Sequence, residues 1–319
     1  MFYYLGLFGT PVTAAGAVFC FIATFVLLKV FADRLPHDQG RAYAVEGALS
    51  KGKARGVGLI FVLVYVIAAL LFELVNTELV IYLAVVAGAM LTGFFDDASE
   101  KPWNEYVKGA LDLGLAVVTA VTYLYFNGCT FMIFPSPYIE VTLPYWLAFI
   151  LIIALVWCAI NVTNCTDGVD GLSATLTIIT LGSFFLCMEF DGYFIIRNSV
   201  VYFMIVLVAY LWYNANPSSM LMGDAGSRAM GMMIAITALG SGYPLLYIPF
   251  SLVMILDGGL GLVKVALLRF FKIKILTNVR CPLHDQARKV GGWSNTQVVF
   301  RFAVIQLAVS LPFLYMFRM

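Results

Sequence analysis

About ten apolar segments take up most of this chain, and roughly 20 such residues are what it takes to cross ~30 Å of hydrocarbon. They fall near 12–32, 56–76, 78–95, 106–126, 144–163, 172–188, 198–213, 227–242, 243–271 and 297–317. The chain is therefore read as an all-α integral membrane protein of about ten transmembrane helices. The ninth is long, and its run Asp257-Gly258-Gly259-Leu260-Gly261 predicts a bend. Its far end, Lys264 to Lys274, is expected to project beyond the bilayer.

Composition agrees. The 319 residues are 62% hydrophobic and 12% charged, where a soluble domain is nearer half apolar and a quarter charged. The spans use up the length, so residues 1–319 are expected to form a single transmembrane domain. A net charge of +1 gives no reason to expect a nucleic-acid partner. The six cysteines, at 20, 129, 158, 165, 187 and 281, lack zinc-ligand spacing. Only Cys129 falls in an outside loop, so no disulfide framework is expected either. The opening MFYYLGLFGT lacks the basic start of a cleavable signal, so the first span is expected to stay in place.

Lys and Arg set the orientation. The loop 33–55 carries Arg34, Arg41, Lys51, Lys53 and Arg55, and the loop 269–296 carries Arg269, Lys272, Lys274, Arg280, Arg288 and Lys289. The opposite loops carry only Arg197, and the C-terminal end only Arg318. Both basic loops then lie inside and both termini outside. The segment 127–143, around Pro135-Ser136-Pro137, is expected to form a small outside hairpin. Alternation of the spans places Asp96, Asp97, Asp167, Asp170 and Asp224 on the one inner face.

Each inside loop has its own chemistry. Asp96-Asp97 end an apolar helix; adjacent carboxylates repel unless a cation lies between them, which suits Mg²⁺ or a general base, though a solvated helix end reads the same way. Asn161 to Gly171 combines amides, carboxylates and Asp-Gly turns able to read a nucleobase or ribose. Gly223-Asp224-Ala225-Gly226-Ser227 opens the eighth span, where free N–H groups face phosphate and Asp224 can be a hard oxygen ligand for Mg²⁺ or a simple helix cap. Lys108 either snorkels or neutralises a phosphate. His284 sits among Arg280, Arg288 and Lys289, a set that also suits anionic lipid headgroups. Asp112 and Asp257 lie within spans, where an acid is a functional candidate or is paired internally.

These four segments, in this order, resemble the polyprenyl-phosphate N-acetylhexosamine-1-phosphate transferase superfamily over about residues 50–302. Within it, CPLHDQARKVGGWSNTQVVFRF and WYNANPSSMLMGDAGS are most similar to the phospho-N-acetylmuramoyl-pentapeptide-transferase family. The resemblance implies catalytic roles for Asp96, Asp97, Asp224 and His284, with Asp224 the Mg²⁺ ligand. It implies substrate contacts from Lys108, Asn161, Asn164, Asp167, Asp170 and Asn214. It further implies ten helices, a homodimer, and a cytoplasmic-facing site in the bacterial plasma membrane. The implied reaction joins UDP-MurNAc-pentapeptide to undecaprenyl phosphate, giving lipid I and UMP. The chain departs from the family pattern at three places. His284-Asp285-Gln286 replaces a triple His, Leu221 replaces an aromatic, and Lys53-Ala54-Arg55-Gly56-Val57-Gly58 replaces Thr-Pro-Thr-Met-Gly-Gly.

Other readings separate on sequence features. A UDP-N-acetylglucosamine-1-phosphate transferase would carry an inside loop of basic and His residues unlike CPLHDQARK. A secondary transporter needs polar groups near the midplane, with inverted repeats and broken helices, and only Asp112, Asp257 and Lys264 are deep candidates. A non-catalytic lipid-phosphate-binding scaffold fits the altered His and Leu221.

Overall fold

In lipid, every backbone N–H and C=O has to be paired within the protein, and a helix does this inside one segment. The chain is built that way. A computed structural model describes residues 10–40, 50–99, 101, 103–134, 139–191 and 196–318. The first eight long helices are α1 Thr10–Phe31, α2 Gly58–Phe72, α3 Thr77–Ala98, α4 Glu105–Asn127, α5 Tyr145–Thr166, α6 Leu172–Asp191, α7 Arg197–Asn214 and α8 Gly223–Gly240. There follow α9 Pro244–Phe250 and α10 Leu252–Phe271, bent by 70° to each other. The short α11 Leu283–Lys289 and the long α12 Asn295–Tyr315 complete the order.

Among the described residues, six helices are long and apolar enough to cross a membrane, or seven if the bent pair is one span. The α2 helix, at 15 residues, falls short of that length. Large apolar side chains such as Ile22, Val121, Ile150, Phe270 and Phe300 point outward, as a lipid-facing surface requires.

Local signals set the helix ends. Asn76 accepts from Leu79 N at 2.7 Å and caps α3. Asn104 accepts from Tyr106 N at 3.0 Å and caps α4. Ser294 and Gln297 form a reciprocal capping box at α12.

The sequence makes the eighth segment short, and its place explains its modest apolarity. Helix α8 is enclosed by protein, with Ala225 through Leu239 all buried. A helix that touches other helices rather than lipid can use small residues for close approach. A Cβ at Gly58 would lie 2.1 Å from Gly226 N, and one at Gly93 would lie 2.3 Å from the Asp224 carbonyl. The helices α2 and α3 therefore meet the start of α8 backbone to backbone.

Two small strand pairs complete the architecture. The strands β1 Ala54–Arg55 and β4 Met220–Leu221 pair in parallel, Ala54 with Met220 and Arg55 with Leu221. The strands β2 Thr130–Phe134 and β3 Ile139–Thr142 pair antiparallel. The expected hairpin turn at Pro135-Ser136-Pro137 lies outside the described residues, as do Arg41 and the first nine residues. Lys264 Nζ donates to the carbonyls of Leu276 and Val279 at 2.9 and 2.8 Å, folding the following segment back onto α10.

Candidate active site

The end of α3, the start of α4, the start of α8 and strand β1 bring three aspartates and two cations together. Lys108 is paired with Asp96 and lies 3.4 Å from Asp224 Oδ2. Arg55 Nη2 lies 2.9 Å from Asp97 Oδ1 and 3.7 Å from Asp224 Oδ1. The other carboxylate oxygen of Asp96, Oδ1, accepts from Trp103 N at 2.7 Å. Asp97 Oδ2 accepts from Ala225 N at 3.2 Å, in the first turn of α8. Gly223, at φ +68°, makes this possible, since a Cβ there would lie 2.1 Å from Asp97 Oδ2.

Formal charges in this cluster are three negative and two positive, so it keeps room for further cationic charge. Asp97 Oδ1 is buried and has no hydrogen bond, its near neighbour being the Arg55 guanidinium at 2.9 Å. Among the described residues no three His, Cys, Asp or Glu side chains form a preformed metal cage. Mg²⁺ commonly binds through one or two carboxylates and completes its shell with water and substrate phosphate. Asp224 and the unbonded Asp97 Oδ1 fit such a cation.

In the sequence Arg55 is legible as one of the basic residues of an inside loop and as a departure in its glycine-bearing stretch. Pairing of β1 with β4 brings it in, supported by Val57 N to Leu221 O at 3.2 Å and Gly58 N to Met222 O at 3.1 Å. Burial works against its charge, but Asp97, Asp224, Asp38 and Asp96 outweigh burial and raise its pKa above the ordinary guanidinium value.

A second charged layer lies one turn deeper. Asp112 follows Lys108 by four residues on α4, and Arg228 follows Asp224 by four on α8. Four residues is one helical turn, so Asp112 and Arg228 face each other beneath Lys108 and Asp224. They form an ion pair only 1% and 4% exposed. Asn161 Nδ2 also donates to Asp112, at 3.4 Å. Arg228 belongs to no motif of the sequence, and its only signal there is the matched four-residue spacing on the two helices.

The remaining polar loop of α5 connects this cluster to His284. Asn164 donates to Ser227 Oγ on α8 at 2.9 Å. Four residues on, Gly168 faces His284, where a Cβ would lie 2.3 Å from Nε2. His284 Nδ1 is 2.8 Å from Asp257 Oδ2, and its backbone N–H donates to Asp257 Oδ1 at 2.7 Å. Asp257, a deep acid in the sequence, is thus partnered by a histidine. Asp285, which stands in the second His position, is paired with Arg288 at 2.6 Å. Gln286, in the third, accepts from Arg280 N at 2.9 Å.

Asp170 and Asn214 hold loops. Asp170 accepts from Ser218 N at 3.0 Å, and Lys53 donates to Ser218 Oγ at 3.0 Å. Asn214 is buried, accepts from Gly171 N at 2.9 Å and donates to Met220 O at 3.0 Å. The structure puts Asp167 next to Gly168, within electrostatic reach of Tyr210. Leu221 sits in β4 beside Arg55.

A helical membrane protein with carboxylates and cations at one set of helix ends, joined to a glycine-bearing helix start, has the makings of a phospho-sugar transferase. Residues 79–242 match glycosyl transferase family 4. The chain is 39% identical to the phospho-N-acetylmuramoyl-pentapeptide-transferase of Treponema pallidum (strain Nichols), over 92% of this chain and 86% of that protein. It is 27% identical to the protein of that name from Borreliella afzelii (strain PKo), over 98% and 97%. With the one from Staphylococcus aureus (strain bovine RF122 / ET3-1) it shares 27%, over 92% and 96%. The chain belongs to glycosyl transferase family 4 and, within it, to the phospho-N-acetylmuramoyl-pentapeptide-transferase family.

Proposed function

We propose that this chain transfers phospho-MurNAc-pentapeptide from UDP-MurNAc-pentapeptide to undecaprenyl phosphate, forming lipid I and UMP for peptidoglycan synthesis. The observation that carries the chemistry is the bridging of Asp96, Asp97 and Asp224 by Lys108 and Arg55. The family and the names of the relatives support the choice of substrates.

In this reading an oxygen of the lipid phosphate attacks the β-phosphorus of the sugar nucleotide. The bond from that phosphorus to the bridging oxygen breaks, and UMP leaves with the electron pair. The second pKa of a phosphate monoester is about 6, so the nucleophile is already largely ionised near neutral pH. The main barrier is the approach of two anions, and positioning with neutralisation is the means of lowering it. Lys108, between Asp96 and Asp224, supplies fixed positive charge at that point. Mg²⁺, held by Asp224 beside Asp97, would neutralise phosphate charge when bound. His284, oriented by Asp257 at 2.8 Å, presents Nε2 toward the Gly168 loop. In this reading Nε2 hydrogen-bonds a substrate phosphate or sugar group.

The proposal includes a single transmembrane transferase domain, residues 1–319, of about ten spans in the bacterial plasma membrane. Its active site faces the cytoplasm, both termini lie outside, and the protein works as a homodimer. The test supplies labelled UDP-MurNAc-pentapeptide or labelled UDP-N-acetylglucosamine to purified protein with undecaprenyl phosphate and Mg²⁺. Label should pass into the lipid phase from the first nucleotide alone. Transfer from the second alone would assign the chain to another glycan.

A further inference from the structure

Arg55 occupies a place that a divalent cation also needs. Its Nη2 is 2.9 Å from Asp97 Oδ1 and 3.7 Å from Asp224 Oδ1. Its Nη1 is 3.5 Å from Asp38 Oδ1, which lies in the loop before α2. The Arg55 backbone is fixed, with its N–H donating to Pro36 O at 2.7 Å and its strand paired to β4. Its side chain is 21% exposed, so part of it reaches solvent. Asp97, by contrast, has a fully buried side chain whose Oδ1 accepts no hydrogen bond.

We propose that Arg55 is the resident cation of this cluster, holding Asp97 and Asp224 together without metal, giving way when a divalent cation binds, and then pairing with the diphosphate of the substrate. The proposal rests on the phospho-sugar transferase reading above. Its physical basis is competition. A guanidinium in contact with Asp97 Oδ1 and a divalent ion on the same oxygen repel each other strongly, because little water lies between them. Displacement leaves Arg55 tethered through Asp38, on a long flexible side chain that can turn toward solvent. A guanidinium presents a planar fork of N–H donors that matches phosphate oxygens two at a time. The arrangement keeps three carboxylates from repelling one another in the empty enzyme and delivers a phosphate-binding group when the metal arrives.

The test compares wild type, Arg55→Gln, Arg55→Lys and Asp224→Asn as purified full-length protein. Mn²⁺ binding without substrate is followed by the electron paramagnetic resonance of free Mn²⁺. Binding of inorganic pyrophosphate to the Mn²⁺-loaded protein is followed by calorimetry. Arg55→Gln is expected to bind Mn²⁺ about fivefold or more tightly than wild type, and pyrophosphate about tenfold more weakly. Arg55→Lys keeps the charge but not the fork, and should fall between on both readings. Asp224→Asn should weaken Mn²⁺ binding. Equal or weaker Mn²⁺ binding by folded Arg55→Gln, or unchanged pyrophosphate binding, overturns the proposal; if that variant does not fold, Arg55→Lys decides on the same criteria. The two readings are separable. Wild type that shows this pattern but releases no UMP from either UDP-sugar keeps the role of Arg55 and removes the substrate assignment.

Discussion

Asp257 grips His284 twice, accepting the backbone N–H at 2.7 Å and meeting ring Nδ1 at 2.8 Å. Asp257 lies in the π-helical stretch Ile255–Gly259, and His284 is the second residue of the short helix α11. A carboxylate at Nδ1 leaves Nε2 as the ring atom available to the loop at Gly168, which fixes the tautomer as well as the direction of the ring. Asp257→Asn keeps the shape but sets an amide N–H₂ or a single carbonyl in that place. We expect kcat to fall at least about tenfold while the protein stays folded, since a wrong His tautomer is costly in comparable sites. An Asp257→Asn enzyme with wild-type kcat and an unchanged melting profile would remove this orienting role.

Gly168 tests the same contact from the other side. Its missing side chain makes room for Nε2, with 2.3 Å between that atom and a built Cβ. His284 is buried and doubly held, so it has little freedom to retreat. Gly168→Ala is expected to lower kcat as strongly as Asp257→Asn. Combining the two should cost less than the product of the separate losses, because both act through one ring. Steady-state rates of the two single variants and the double variant give the answer, and full independence would contradict it.

The buried pair of Asp112 and Arg228 makes a stability prediction. Removing one partner leaves an uncompensated charge in the interior, at about 3–5 kcal/mol; replacing both with apolar residues is often neutral. Asp112→Leu and Arg228→Leu should each lower the melting temperature in detergent sharply, and the double replacement should recover most of the loss. A double variant no better than the singles would mean that Asn161 and the helix packing need the charges themselves.

Gly93 sets the distance between α3 and α8. A Cβ there meets the Asp224 backbone at 2.3 Å, with no flexible side chain to move aside. Overpacking of this kind costs about 1–3 kcal/mol. Because the displaced element carries Asp224, Gly93→Ala should lower both the melting temperature and Mn²⁺ affinity. A loss of stability with normal Mn²⁺ affinity would uncouple the helix contact from the site.

Much of this was readable in the residues. Hydropathy marked where the long helices run, because a membrane makes length and apolarity obligatory. The motif order marked Asp96, Asp97, Lys108, Asp224 and His284, polar groups at the ends of apolar segments. Arg55 was harder to read, since only the parallel pairing of Ala54–Arg55 with Met220–Leu221 shows that it faces two aspartates. The family resemblance implies substrate contacts from Asn214 and Asp170, and the structure adds a backbone partner for each. An amide that reads a nucleotide and one that holds a loop are chemically the same group, so their roles separate only in three dimensions. Asp257 showed its depth but not its partner, because His284 is 27 residues away.

The most direct test of the central claim is UMP release by the purified protein with undecaprenyl phosphate, UDP-MurNAc-pentapeptide and Mg²⁺, beside an Asp224→Asn control. Asp224 sits between Lys108 at 3.4 Å and Arg55 at 3.7 Å, so loss of its charge should abolish turnover while the protein remains folded. UMP released by wild type and not by the variant is the predicted result. No release by wild type, or equal release by Asp224→Asn, would contradict the account.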